Sequence, residues 1–130
     1  MPFMIRDANS ADIPAIAHLH VRTYNKTHAP IFKNRPSYGI RERQWRQAFQ
    51  ETDGNWFCFV IENESGELIG FAKGIPYSHP DQPDFSGELN KLYILRKYHR
   101  QGLGRHLLGH VARRFLSQIL WFAVKWMGHR

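Results

Sequence analysis

The sequence predicts a mixed α/β domain, and three observations carry that prediction. Apolar residues recur at helical spacing near both ends of the chain. β-prone runs bounded by turn residues fill the middle. The length of 130 residues leaves room for one modest core, so residues 1–130 are read as a single domain without repeat or linker.

Residues 3–6 are a short apolar start and the expected first strand. Asn9-Ser10-Ala11-Asp12 has helix N-terminus chemistry, with Ser10 the expected cap and Asp12 in the first turn. Ile13, Ile16, Ala17, His20 and Tyr24 share a helical face, so the first helix is expected to reach Tyr24, with Pro14 near enough its start to be tolerated. Residues 26–38, with Pro30 and Pro36, are expected to be loop. Residues 39–50 form a second helix with Ile40, Trp45 and Phe49 on its apolar side. After the Asp53-Gly54 turn, the runs 56–61 and 68–72 flank Asn63-Glu64-Ser65-Gly66 and read as a β-hairpin. Residues 76–87 hold Pro76, Pro80 and Pro83 and read as a polar loop, and 89–95 as a fourth strand. Residues 102–118 are the strongest helix, with Leu103, Leu107, Leu108, Val111, Phe115 and Ile119 in one stripe. The apolar run 119–124 that follows is expected to be a buried fifth strand.

Composition narrows the function classes. The chain is 42% hydrophobic and 22% charged, an ordinary globular balance. No apolar run approaches the roughly 20 residues of a membrane span, and no secretory leader pattern opens the chain. Cys58 is the single cysteine, which excludes an internal disulfide and a cysteine-rich zinc site and fits a cytoplasmic location. The net charge of +7 invites a nucleic-acid reading. The basic residues are dispersed, however, without a helix-turn-helix or zinc-finger spacing, and a phosphate-bearing small molecule suits them better.

The informative stretch runs from Glu88 to Arg105, from strand through a basic loop into a glycine-containing turn and an amphipathic helix. Free N–H groups at a helix start make an anion site, and Gly102 and Gly104 let the main chain approach a phosphate closely. Arg96, Lys97, Arg100 and Arg105 can add charge-assisted bonds. A Walker loop is absent, and the dinucleotide fingerprint fails because Leu107 stands where its third glycine belongs.

What remains resembles motif A of the GNAT superfamily, usually written Gln/Arg-x-x-Gly-x-Gly/Ala. His99-Arg100-Gln101-Gly102-Leu103-Gly104 matches both glycines and departs at His99. Met4-Ile5-Arg6-Asp7-Ala8 followed by Asp12-Ile13 is similar to the family's usual opening. The resemblance implies a twisted, mostly antiparallel sheet flanked by helices, with the fourth and fifth strands splayed to admit acetyl-CoA. It implies a bulge in the fourth strand, with the main chain of Leu92, Tyr93 and Ile94 holding pantetheine. His99, Arg100, Gln101, Gly102, Leu103, Gly104 and Arg105 would surround the pyrophosphate. The implied activity is acetyl transfer to a primary amine of a small molecule or peptide by direct attack, without a metal. Glu88 stands where the family often places a carboxylate base, though a solvated strand-end glutamate reads equally well. Tyr24 and the loop up to Tyr38 fall where the family builds its acceptor pocket.

Other features have blander readings. His79 reads as a loop histidine. His106 and His110 lie four apart on a helix but lack a third ligand, and a solvated face suits them better. Trp45, Trp56 and Phe57 read as core. The chain stops at Arg130, where family members usually continue with another helix and strand, so the acid protonating the departing thiolate has no counterpart here. An uncovered C-terminal strand would suit a homodimer through that strand, or else a truncated chain. A non-catalytic acyl-CoA-binding module and a basic nucleic-acid-binding domain stay open as rival readings.

Overall fold

The computed structural model describes residues 2–28, 37–51, 56–76, 81 and 87–127. Strand β1 (Met4–Asp7) leads through a 3-10 turn (Ser10–Asp12) into helix α1 (Ile13–His28), followed by α2 (Tyr38–Gln50). Strands β2 (Phe57–Glu62), β3 (Leu68–Pro76) and β4 (Gly87–Ile94) come next. A second 3-10 turn (Arg96–Tyr98) then leads to α3 (Leu103–Met127).

The four strands form one antiparallel sheet in the order β1-β2-β3-β4. The expected hairpin is β2–β3. Its turn closes because the Asn63 side chain accepts from the Ser65 and Glu67 amides at 3.0 and 2.9 Å. Gly66 takes a φ of 80° there, which a glycine reaches without a Cβ clash.

Alternation along the strands sorts side chains to two faces. Val60, Phe71 and Tyr93 face α1 and α2: His20 meets the rings of Phe71 and Tyr93 at 5.7 and 5.5 Å, and Trp45 meets Phe71 at 5.4 Å. Phe57 and Phe59 face α3, touching Phe115 and His110 at 5.0 and 5.5 Å. Helices therefore cover both faces, as the fold class requires. Ile16, Val60, Ile61, Ile69, Phe71, Leu107 and Val111 are fully buried between the layers. Each such side chain contributes about 1.5–3 kcal/mol of burial. Arg6 ties β1 to the start of α1 and to β2, pairing with Asp12 at 2.8 Å and with Glu62.

Three boundaries differ from expectation. The cap of the first helical turn is Asn9, not Ser10. Its side chain accepts from the Ala11 amide at 2.9 Å, and its own N–H donates to Asp12 at 2.8 Å. A capping box needs its acid three residues past the cap, and Asp12 has that spacing from Asn9. α1 continues past Tyr24 to His28 because no breaker precedes Pro30.

The third difference is the largest. The run 119–124 is not a fifth strand; it continues α3, which ends at Met127. A short apolar run does not by itself distinguish strand from helix. No glycine or proline interrupts the chain between His110 and Met127, and each added residue gains a helical bond without a new nucleus. The expected splay between a fourth and fifth strand, and the homodimer through a C-terminal strand, both lose the strand they rest on. Among the described residues β4 is an edge of the sheet.

Candidate functional site

The site is built on β4. Along its pairing with β3, Lys73 lies opposite Lys91 but Gly74 lies opposite Leu89, so Asn90 is an extra residue. That is a β-bulge, and it turns the first half of the strand relative to the second. Beyond it, the Leu95 amide donates to the Ile69 carbonyl at 2.9 Å. Antiparallel alternation then commits the main chain of Tyr93 to β3 and points the polar groups of Leu92 and Ile94 at the open edge. The sequence grouped Leu92, Tyr93 and Ile94 together; the ladder separates them.

The turn after β4 organises the second half of the site. The Tyr98 and His99 amides donate to Leu95 and Arg96 at 2.8 and 3.0 Å. The His99 Nε2–H donates to the Ile94 carbonyl at 2.7 Å, which fixes its tautomer and anchors the turn to the end of the strand. His99 thus has both its N–H groups engaged within the turn. Arg100 then takes a φ of 65° and Gly102 one of 76°. For Arg100 the left-handed region costs about 1–2 kcal/mol.

The Gly102 carbonyl accepts from the His106 amide at 3.1 Å, so Gly102 is the cap of α3 and has no side chain to accept from the amides that follow. The N–H groups of Leu103, Gly104 and Arg105 open the helix, with the positive end of its dipole behind them. A Cβ on Gly102 would meet nothing within 4 Å, so space lies open above it. Leu103 is buried and pins the helix start, while Arg100, Gln101 and Arg105 are exposed. Gly104 faces β4, where a Cβ would lie 3.6 Å from Ile94 Cδ1 and 4.0 Å from Leu92 Cδ2. The turn at Gly102 and the open strand edge therefore adjoin.

Glu88 is exposed on β4 opposite Ile75, two residues before the bulged Asn90. Tyr38 stacks on His18 at 3.9 Å, while His79 and most of the loop before Tyr38 lie outside the described residues. His106 is exposed, but His110 is half-buried against Phe59 and bonds Arg113 at 3.1 Å, so it does not lie on a purely solvated face. No group able to hold a metal occurs among the described residues. Burial pushes the Cys58 thiol up to about 12, which makes it a poor nucleophile. None of the described helices is long and apolar enough to cross a membrane.

A cavity on the side of β4 that faces α1 and α2 was not legible in the sequence. It measures about 290 Å³ and is lined by His20, Arg41, Gln44, Trp45, Lys73 and Lys91, with Ala48. His20 Nδ1 accepts from Trp45 Nε1 at 3.2 Å. Burial, then the charges of Arg41, Lys91 and Lys73, pushes the His20 imidazolium down to about 3, so the ring is neutral. The only sequence signal was His20 on an apolar helical face, which reads equally as core.

Comparison with known proteins bears on the family and the fold. The Acetyltransferase (GNAT) family matches residues 13–125. YuaI, an uncharacterized N-acetyltransferase of Bacillus subtilis (strain 168), is 33% identical over 108 residues. The match covers 80% of this chain, which spans 59% of the length of that curated relative. The PaiA N-acetyltransferase of Thermoplasma acidophilum, solved with coenzyme A, aligns with a TM-score of 0.70 and 17% identity, over 91% of this chain and 74% of its own. A ribosomal-protein-alanine N-acetyltransferase of Brucella melitensis aligns at 0.67 with 24% identity, over 88% and 68%. At these identities the structural likeness is one of fold.

Proposed function

We propose that this chain, which belongs to the acetyltransferase (GNAT) family, transfers an acetyl group from acetyl-CoA to a primary amine. The observation that carries the proposal is the start of α3, where the cap Gly102 leaves the following amides without a side-chain acceptor, adjoining an open and bulged β4 edge. A diphosphate suits the first feature and an amide-bearing arm the second. The PaiA relative binds coenzyme A, and the residues here fit the same ligand: amides from Leu103 to Arg105 for its pyrophosphate, and Leu92 and Ile94 for its pantetheine. Bound there, acetyl-CoA supplies an activated thioester.

The chain's own groups then orient and stabilise. The amine nitrogen attacks the carbonyl carbon, the C–S bond breaks, and the sulfur leaves with the bonding pair. An outward N–H on β4, from Leu92 or Ile94, is positioned to bond the carbonyl oxygen as charge builds on it, an effect of about 3 kcal/mol for one such donor. The amine is protonated at neutral pH and must lose a proton before attack and another after it. Glu88, exposed beside the bulge, is the proposed acceptor, directly or through water. The lone buried Cys58 suits a reducing cytoplasm.

The test is calorimetric titration with acetyl-CoA together with thiol release over a panel of amines. Micromolar binding with amine-dependent release is the expected result. Binding without release from any amine would make the chain a cofactor-binding module. Glu88→Gln is expected to lower kcat about 100-fold while leaving acetyl-CoA affinity unchanged.

A further inference from the structure

The cavity between α2 and the sheet sharpens the acetyl-transfer reading, and its meaning as an acceptor site rests on that reading. Lys73 and Lys91 are direct partners across β3 and β4, on the sheet face that α1 and α2 cover. Like charges placed directly opposite each other destabilise a sheet. Arg41 brings a third cation to the same 290 Å³, and among the described residues no acid lines the space.

Burial holds both lysine ammoniums below their usual range, and for Lys91 the charges of Lys73 and Arg41 add to it. Cys58, then Glu51, act on Lys73 from outside the cavity and oppose that shift. The Lys73 ammonium lies 5.3 Å from the rings of both Trp45 and Trp56, which hold it in place. Lys91 donates to Asn90 Oδ1 at 2.9 Å, so the bulge residue steadies it. Arg41 is braced by Gln44 at 3.0 Å. Desolvating two lysine ammoniums that face each other across the ladder is costly without a counter-charge. A bound anion supplies one, and charge-assisted bonds to it are stronger than neutral ones.

We infer that this cavity holds the acidic group of the acceptor, a carboxylate or a phosphate monoester, and that the substrate class is small amines bearing such an acid. The volume is that of about ten waters, enough for a molecule the size of an amino acid. Lys91 and Tyr93 project into this side of β4, while Leu92 and Ile94 present their main chain to the open edge. An acceptor anchored by its acid at Lys73 and Lys91 therefore directs its amine along β4 toward the proposed thioester.

Calorimetry on the full chain saturated with coenzyme A tests this with matched amines: β-alanine against propylamine, and O-phosphoethanolamine against ethanolamine. The expected result is at least about tenfold tighter binding of the acidic member in one pair, and which pair responds tells carboxylate from phosphate. Lys73→Met and Lys91→Met should each erase most of that preference and, because they relieve repulsion, should not lower the Tm of the ligand-free protein. Equal binding within both pairs overturns the inference. So does a preference that survives both substitutions, or one that disappears when coenzyme A is added, which would give the cavity to a coenzyme phosphate. Acid-selective binding without thiol release sinks the transfer reading and leaves the anion site standing. Release from neutral amines alone does the reverse.

Discussion

The two sides of β4 present positive charge by opposite means. Toward α3, the start of the helix at Gly102 offers main-chain N–H groups, a dipole and open space; the cations around it are exposed and solvated. Toward α1 and α2, the side chains of Lys73, Lys91 and Arg41 converge in a cavity. The first side gains its polarity from how the chain turns, so its residues are neighbours in sequence. The second gains it from side chains that three separate elements bring together. A backbone site is blocked by adding a side chain, and a side-chain site is emptied by removing one.

The sharpest way to break the comparison is Gly102→Glu. A glutamate at this left-handed position strains the turn by about 1–2 kcal/mol and sets a carboxylate where an anion should bind. Coenzyme A affinity is expected to fall at least about 100-fold, close to 3 kcal/mol. The fold should survive, because nothing lies within 4 Å of the added Cβ. Unchanged affinity would mean the phosphate site is elsewhere. Gly104→Ala is the contrast: a Cβ there makes ordinary contact at 3.6 Å with Ile94, so folding and binding should change little.

The same division decides what could be read before the structure. The turn into α3 was legible because six consecutive residues, His99 to Gly104, carry it, and the hairpin was legible because Asn63 to Gly66 has only one good use. The end of α3 was not, since an apolar run such as 119–124 suits a buried strand or a buried helix equally, and the outcome depends on what precedes it. The cationic cavity was invisible for a different reason. Lys73 and Lys91 become neighbours only through strand register, and a bulge at Asn90 fixes which lysine faces which. Tyr93 shows the same limit: its position on the strand was correct, but hydrogen-bond parity assigns its main chain to β3.

A smaller effect separates the cavity from the turn by pH. His20 stays neutral in the folded protein down to about 3, while in the unfolded chain it titrates near 6.5. Below about pH 6.5 the unfolded state therefore gains a proton that the folded state refuses, and stability declines as pH falls toward 3. The limiting slope is about 1.4 kcal/mol per pH unit. Asp12, whose carboxyl Arg6 holds below the usual range, adds its own loss only under about pH 4. Urea denaturation at pH 7, 6 and 5 checks this. His20→Asn keeps an acceptor for Trp45 Nε1 without a titrating ring, and should flatten the slope over that interval. An unchanged slope would show that the buried ring is not its source.

The smallest expected effect concerns Arg100, where the turn itself carries strain. Its φ of 65° is unfavourable for any residue with a Cβ. Arg100→Gly relieves that strain, but glycine returns roughly 0.5–1 kcal/mol through the greater freedom of the unfolded chain. The net change in stability should be a gain of no more than about 1 kcal/mol. Coenzyme A affinity should move the other way, down a fewfold, because a cation leaves the edge of the proposed phosphate site. Opposite signs in the two measurements are what a functional cost would produce: the chain tolerates a strained arginine where a glycine would fold better. If stability and affinity both fall, the left-handed arginine is holding the turn together through contacts of its own, and the contrast between a main-chain site and a side-chain site narrows at that position.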